Sequence, residues 1–147
     1  MKKCLVAVSI LLAALGTAAG KTANRPVLSG SEQILNSAGG NFKIHWTNSG
    51  ADSVSYAYTL SIAMSADSSW RVQCDEMGYF QPPPDNGIGG DDLYDIYILS
   101  LSGGVMGYTS CYGEYHPPDS THDCSASYIV VHSSIPDAGQ RNCVVAH

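Results

Sequence analysis

Between residues 41 and 47 apolar and polar side chains alternate. Phe42, Ile44 and Trp46 fall on one side and Lys43 and His45 on the other. A period of two predicts a half-buried strand with His45 on its polar, solvent-facing side. Asn48-Ser49-Gly50 is a turn signal, and beyond it the period changes. Val54, Tyr58 and Ile62 recur four apart, and Leu60, Met64, Trp70, Cys74 and Met77 extend the apolar side. That spacing predicts one helix of about six turns, its aromatic and methionine side chains in the core. Asp52 or Ser53 stands where an N-cap belongs, and Gly78 where a helix-ending glycine belongs.

Pro82-Pro83-Pro84 forces an extended segment, and the run from Asp85 to Asp92, with Gly87, Gly89 and Gly90, predicts a tight acidic loop. Residues 94–101 are dense in β formers and predict a buried strand. Gly103-Gly104 turns the chain into a short segment at 105–109, and 111–124, with Pro117-Pro118, reads as a loop. Tyr128-Ile129-Val130-Val131 predicts a further buried strand over 127–132, after which Asp137 caps a terminal helix that runs to His147. Residues 21–40 are polar and small, with Pro26 and no apolar period, and predict a flexible leader in which Glu32 to Leu35 form at most a short turn. Strands and helices mix without a βα repeat, so the expected class is α+β in one domain over 41–147.

The first twenty residues change the picture of location. Lys2 and Lys3 precede an apolar run from Leu5 to Leu15, and Thr17-Ala18-Ala19-Gly20 offers small residues for cleavage. This predicts a signal peptide over 1–20 and a secreted or periplasmic product. The run falls short of the roughly 18–20 residues needed to span a bilayer, so no stable membrane anchor is expected. Cleavage after Ala19 leaves 128 residues of 147, enough for one modest core. It also leaves 5 basic residues of 7 against 13 acidic ones, a net −8, which disfavours nucleic acid as a partner.

Four cysteines remain: Cys74, Cys111, Cys124 and Cys143. An even count in an exported chain without a C-x-x-C pair favours two disulfides over thiolate-bound metal. Of the three pairings, Cys111–Cys124 with Cys74–Cys143 is preferred. The first closes a short loop, for about 3 kcal/mol through the unfolded state, and the second staples the terminal helix to the first one.

Candidate chemistry is sparse. Asp85, Asp91, Asp92 and Asp95 offer clustered oxygens for a structural calcium ion, although their spacing is not that of an EF-hand and aspartates also cap turns. Glu114, His116, Asp119, His122 and Asp123 form a second polar cluster, better explained as a solvated loop. No nucleophile elbow, P-loop or dinucleotide fingerprint is present. His132 reads as a histidine at a strand end. His147 differs in setting, because it closes an apolar helical stretch, Val144-Val145-Ala146, that follows a buried strand.

Phe42-Lys43-Ile44-His45-Trp46-Thr47 with Ser49-Gly50 and Asp52 is followed by Gly78-Tyr79 with Pro82-Pro83, and then by the run Gly89-Gly90-Asp91-Asp92-Leu93-Tyr94-Asp95-Ile96-Tyr97. The order of these segments resembles an exported bacterial zinc metalloprotease family of the H-E-x-x-H type. Gly107-Tyr108-Thr109 and Ser127-Tyr128-Ile129-Val130-Val131 continue the likeness, which covers residues 41–147. The resemblance implies a zincin-like N-terminal subdomain: a mixed sheet of about four strands with one long helix and a truncated active-site helix. It implies a substrate-aligning edge strand at Met106, Gly107 and Tyr108 for a peptide or protein substrate. Carried over by position, His147 matches the family's first zinc ligand. The general-base glutamate and the remaining ligands have no counterpart here, and catalytic zinc needs three protein ligands and a water. The expectation is therefore the N-terminal fragment of a secreted zinc metallopeptidase-like protein, inactive as it stands. Two other readings stay open: a complete non-catalytic domain that binds a peptide or glycan, and a metal-independent hydrolase using Asp91 or Asp95.

Overall fold

The structure, a computed structural model, describes residues 25–112 and 125–146. The segment 1–20, Cys124, the polar cluster from Glu114 to Asp123, and His147 lie outside the described residues.

The fold is α+β, with five strands in one mixed sheet and two helices. In chain order these are β1 (Gln33–Asn36), β2 (Phe42–Trp46), α1 (Tyr56–Trp70), β3 (Tyr94–Leu99), β4 (Gly107–Cys111), β5 (Ser127–His132) and α2 (Ala138–Ala146). The sheet order is β1-β2-β3-β5-β4. The three central strands run parallel, and the edge strands β1 and β4 are both antiparallel to their neighbours.

Five strands replace the expected four because β1 lies inside the stretch expected to be a flexible leader. Ile34 and Leu35 pair with His45 and Ile44, and Ser37 N–H closes the hairpin by donating to Phe42 O at 2.9 Å. The residues before β1 are also held. Asp52 accepts Ser29 N–H through one oxygen and Ser100 N–H through the other, both at 2.7 Å. Burial opposes its ionisation, yet these backbone donors hold the carboxyl below its ordinary range.

The main core lies between one face of the sheet and the helices. Phe42, Ile44, Trp46, Ile96, Ile98 and Val131 meet Ile62, Ala63 and Ala66 of α1 and Val145 of α2. The expected face is met in part: Ile62 is in the core with Val54, Tyr58 and Trp70 against it, but Leu60, Met64 and Met77 are exposed, and Thr59, Ala63 and Ala66 are buried instead. Small side chains let α1 approach the sheet between Trp46 and Phe42, which already fill that space. Ser55, rather than Asp52 or Ser53, caps α1, its Oγ accepting Tyr58 N–H at 3.2 Å. A π-helical turn, Arg71–Glu76, prolongs it, and Gly78 at φ 74° ends the run.

Candidate functional site

The region where α2 meets the edge strand β4 contains the expected edge residues Met106, Gly107 and Tyr108 and the expected helix cap Asp137. Asp137 caps α2, its Oδ1 accepting Gln140 N–H at 2.8 Å, as expected. Arg141 ties the start of the helix down by donating to Ile135 O at 2.7 Å, with its guanidinium 5.2 Å from the centre of the Tyr58 ring. Further along, Ser65 Oγ lies 2.5 Å from Asn142 Oδ1, and Gln73 Nε2 donates to Ala146 O at 2.8 Å. Both contacts come from α1 and its π-helical extension, so the last turn of α2, immediately before His147, is fixed from that side.

On the other side it touches β4. A β-carbon on Gly107 would stand 2.6 Å from Val144 Cγ1 and 2.8 Å from Val130 O, so only glycine permits this approach. Tyr108 pairs with Val130 and Ser110 with Tyr128, while Met106 O accepts His132 N–H and Tyr112 N–H donates to Ala126 O. In an antiparallel ladder this parity turns the N–H and C=O groups of Gly107, Thr109 and Cys111 away from β5. No other described strand pairs with them. Val105, Met106 and Tyr108 are exposed along this border. The strand begins at Gly107 rather than at 105, and Met106, one of the expected edge residues, joins the ladder through its carbonyl.

Beside the edge lies a cavity of about 240 Å³. Phe42, Trp70, Tyr79, Tyr94 and Ile129 wall it, and Thr109 and Val145 border it. It is large enough for one apolar side chain.

The cysteine staple is not formed. Cys74, Cys111 and Cys143 are free thiols, so the expected Cys74–Cys143 bridge is absent. The helices are joined instead by the Ser65–Asn142 and Gln73–Ala146 hydrogen bonds, with Cys143 exposed to solvent. Burial pushes the Cys74 thiol up, and the Asp75 charge adds to this.

The opposite face of the sheet carries a group that sequence reasoning missed. His45, expected at the surface, is 1% exposed. The acidic loop folds over it, and Arg25 and Glu32 of the N-terminal segment close it from the side. His45 Nε2 lies 2.8 Å from Asp95 Oδ1 and Nδ1 lies 2.7 Å from Glu32 Oε1. Its ring stacks on Tyr97 with centroids 4.3 Å apart. Asp95 Oδ2 accepts from Tyr112 Oη at 3.1 Å, and Arg25 Nε donates to Tyr97 Oη at 2.6 Å. Burial pushes the Tyr97 phenol up to about 12 and raises that of Tyr112 as well, so both are neutral donors. Lys43 is buried beside them, paired with Asp91 at 2.6 Å and donating to Gly89 O at 3.0 Å. A β-carbon on Gly89 would collide with the Asp95 carboxylate, so this glycine lets the loop close.

These contacts occupy the aspartates considered for calcium or for metal-independent hydrolysis. Asp85 accepts the N–H groups of Gly87, Ile88 and Gly89, and Asp92 also accepts from Gly87. Asp91 pairs with Lys43, and Asp95 is sealed from solvent against His45. Among the described residues no group of three or more His, Cys, Asp or Glu side chains is placed to hold a metal ion. Their remaining strand-end histidine, His132, accepts Leu101 N–H at Nδ1 (3.2 Å). Among the described residues no helix is long and apolar enough to cross a membrane. No protein-family model, no curated protein and no solved structure matches the chain.

Proposed function

We propose that this chain is the N-terminal scaffold of a secreted, zincin-like zinc metallopeptidase, in which β4 aligns an extended peptide beside α2, the helix that precedes His147 in sequence. One observation carries the reading. The antiparallel edge strand, its outward backbone groups unpaired by any other described strand, meets the last turn of α2 where Gly107 approaches Val144. A peptide added at that edge gains main-chain hydrogen bonds from Gly107, Thr109 and Cys111. It also lies beside the apolar cavity bordered by Thr109 and Val145, which suits an aliphatic or aromatic side chain. A mixed sheet carrying one long helix and a second helix against the same core is compatible with this reading and supports it at the level of α+β architecture.

The residues fit this role in part. His147, following Ala146 directly, supplies the single imidazole that the resemblance assigns to zinc. One imidazole is not a catalytic zinc site, which takes three protein ligands and a polarised water. The chemistry available to the described residues is therefore alignment, with hydrolysis dependent on ligands and a general base that they do not supply. The test is the coding sequence beyond the codon for His147. An in-frame Glu-x-x-His supports the metallopeptidase reading; any other continuation refutes it and leaves peptide alignment as the whole function.

A further inference from the structure

His45 is enclosed with a carboxylate on each ring nitrogen, Glu32 at 2.7 Å and Asp95 at 2.8 Å. A neutral imidazole carries one N–H and can donate to only one of them. The other contact would then set a nitrogen lone pair against an oxygen lone pair at hydrogen-bond distance. The geometry is satisfied only if the network holds one more proton. Neighbouring donors do not remove the need. Tyr112 and Tyr97 both face Asp95 Oδ2, at 3.1 and 3.4 Å, and neither bonds Oδ1. Arg25 can only donate, and at 3.3 Å from His45 Nδ1 and 3.7 Å from Glu32 it still leaves the shorter 2.7 Å contact between Nδ1 and Glu32 without a proton unless Nδ1 carries one.

Charge counting leads to the same place. The groups facing His45 are Arg25 and Glu32 from the N-terminal segment, Lys43 from β2 and Asp91 from the acidic loop. Asp95 and Tyr97 come from β3, and Tyr112 from the end of β4. Lys43 and Asp91 offset each other, which leaves two carboxylates against one guanidinium unless His45 is cationic. A cationic ring is also favoured by its stacking on the Tyr97 face. We propose that the fold stores a proton here, as an imidazolium between two carboxylates, and that this proton fastens the N-terminal segment and β1 to the sheet. When it leaves, Glu32 is the group that lets go. Its side chain is 45% exposed and can turn to water, whereas Asp95 is 0% exposed and cannot. Docking of residues 25–32 is then pH-dependent, firm while the imidazolium persists and weaker as the pH rises.

The proposal is independent of any peptidase role. It is tested on the full chain by ¹H–¹⁵N correlation of the His45 ring at about pH 7, within the range where histidine protonation changes. Protons on both ring nitrogens are expected; a single protonated nitrogen overturns the proposal. A second arm follows exchange of the Ser29 amide, corrected for the intrinsic pH effect. Exchange should quicken by about tenfold between roughly pH 6 and 9, the effect of losing one charge-assisted hydrogen bond. In His45→Gln this pH dependence should vanish, and its survival there would refute the idea. Should that variant fail to fold, the ring measurement on the unaltered chain still decides.

Discussion

Gly107 of β4 and Val144 of α2 approach so closely that a single added carbon would overlap the valine methyl, 2.6 Å away. On its other side the same carbon would meet a backbone carbonyl of β5, so neither neighbour can yield freely. Gly107→Ala should destabilise the fold by about 1–3 kcal/mol, the usual cost of overpacking. It should also loosen the last turn of α2. Urea denaturation measures the first effect and amide exchange at Val144 to Ala146 the second. An alanine variant as stable as the parent would show that the two elements are not locked.

Asp52 makes the fold sensitive to acid. Its folded-state carboxyl titrates below the ordinary 3.8, so its stabilisation is complete above that value. The stabilisation is lost as the pH falls through the depressed folded-state value. Asp52→Asn should cost about 1–3 kcal/mol at neutral pH, because Ser29 and Ser100 lose charged acceptors. It should also flatten the acid limb of a stability–pH curve. An unchanged acid limb would assign acid sensitivity to other carboxylates.

Thiol chemistry separates the observed helix junction from the expected disulfide. Cys111 and Cys143 are exposed and should react rapidly with a thiol reagent. Cys74, half-buried and with its thiol pushed up, should react more slowly. Cys143→Ser should change stability by less than about 0.5 kcal/mol, as for other surface positions. Peptide mapping that recovered a Cys74–Cys143 bridge would contradict the free-thiol arrangement.

The acidic loop is held over the sheet by Gly89, whose β-carbon would strike Asp95. Gly89→Ala should lift the loop and expose Lys43 and His45. The change is expected to cost about 1–3 kcal/mol, as the buried Lys43 loses its hydrogen bond to Gly89 O and its pairing with Asp91 is disturbed. Faster amide exchange at Leu93 and Tyr94 would report it, and normal protection there would show that the loop adapts.

The sequence disclosed the fold where a single physical signal dominated. The strands around Ile44, Ile96 and Val130 follow from alternation or from apolar runs, and α2 from Asp137 and the paired valines. It failed where packing depends on what is small. Ala63 and Ala66 face the core because α1 must come close to Phe42 and Trp46, and no count of large apolar side chains reveals that. β1 is four residues of ordinary polarity, made a strand by pairing with β2 rather than by its own propensity. Lys43 and His45 looked solvated because alternation reports which face a side chain takes, not what covers that face. The covering elements had left a signal: two consecutive glycines at 89 and 90, which permit close backbone approach, and Asp95, an acid placed inside an apolar strand. Of the proposed peptide-aligning site, the edge segment and the helix were legible separately. Their contact through Gly107 was not.

The proposed function requires β4 to receive a peptide. The most direct measurement is NMR of the isotope-labelled chain titrated with extended peptides bearing one aromatic or aliphatic side chain. The account predicts protection and shifts at the amides of Gly107, Thr109 and Cys111, with contacts from that side chain to Thr109 and Val145. Thr109→Pro, which removes an outward N–H without breaking the β5 ladder, should weaken binding by at least about tenfold, the loss of one well-made hydrogen bond. Peptides that bind elsewhere, or that bind Thr109→Pro as well as the parent, would contradict it.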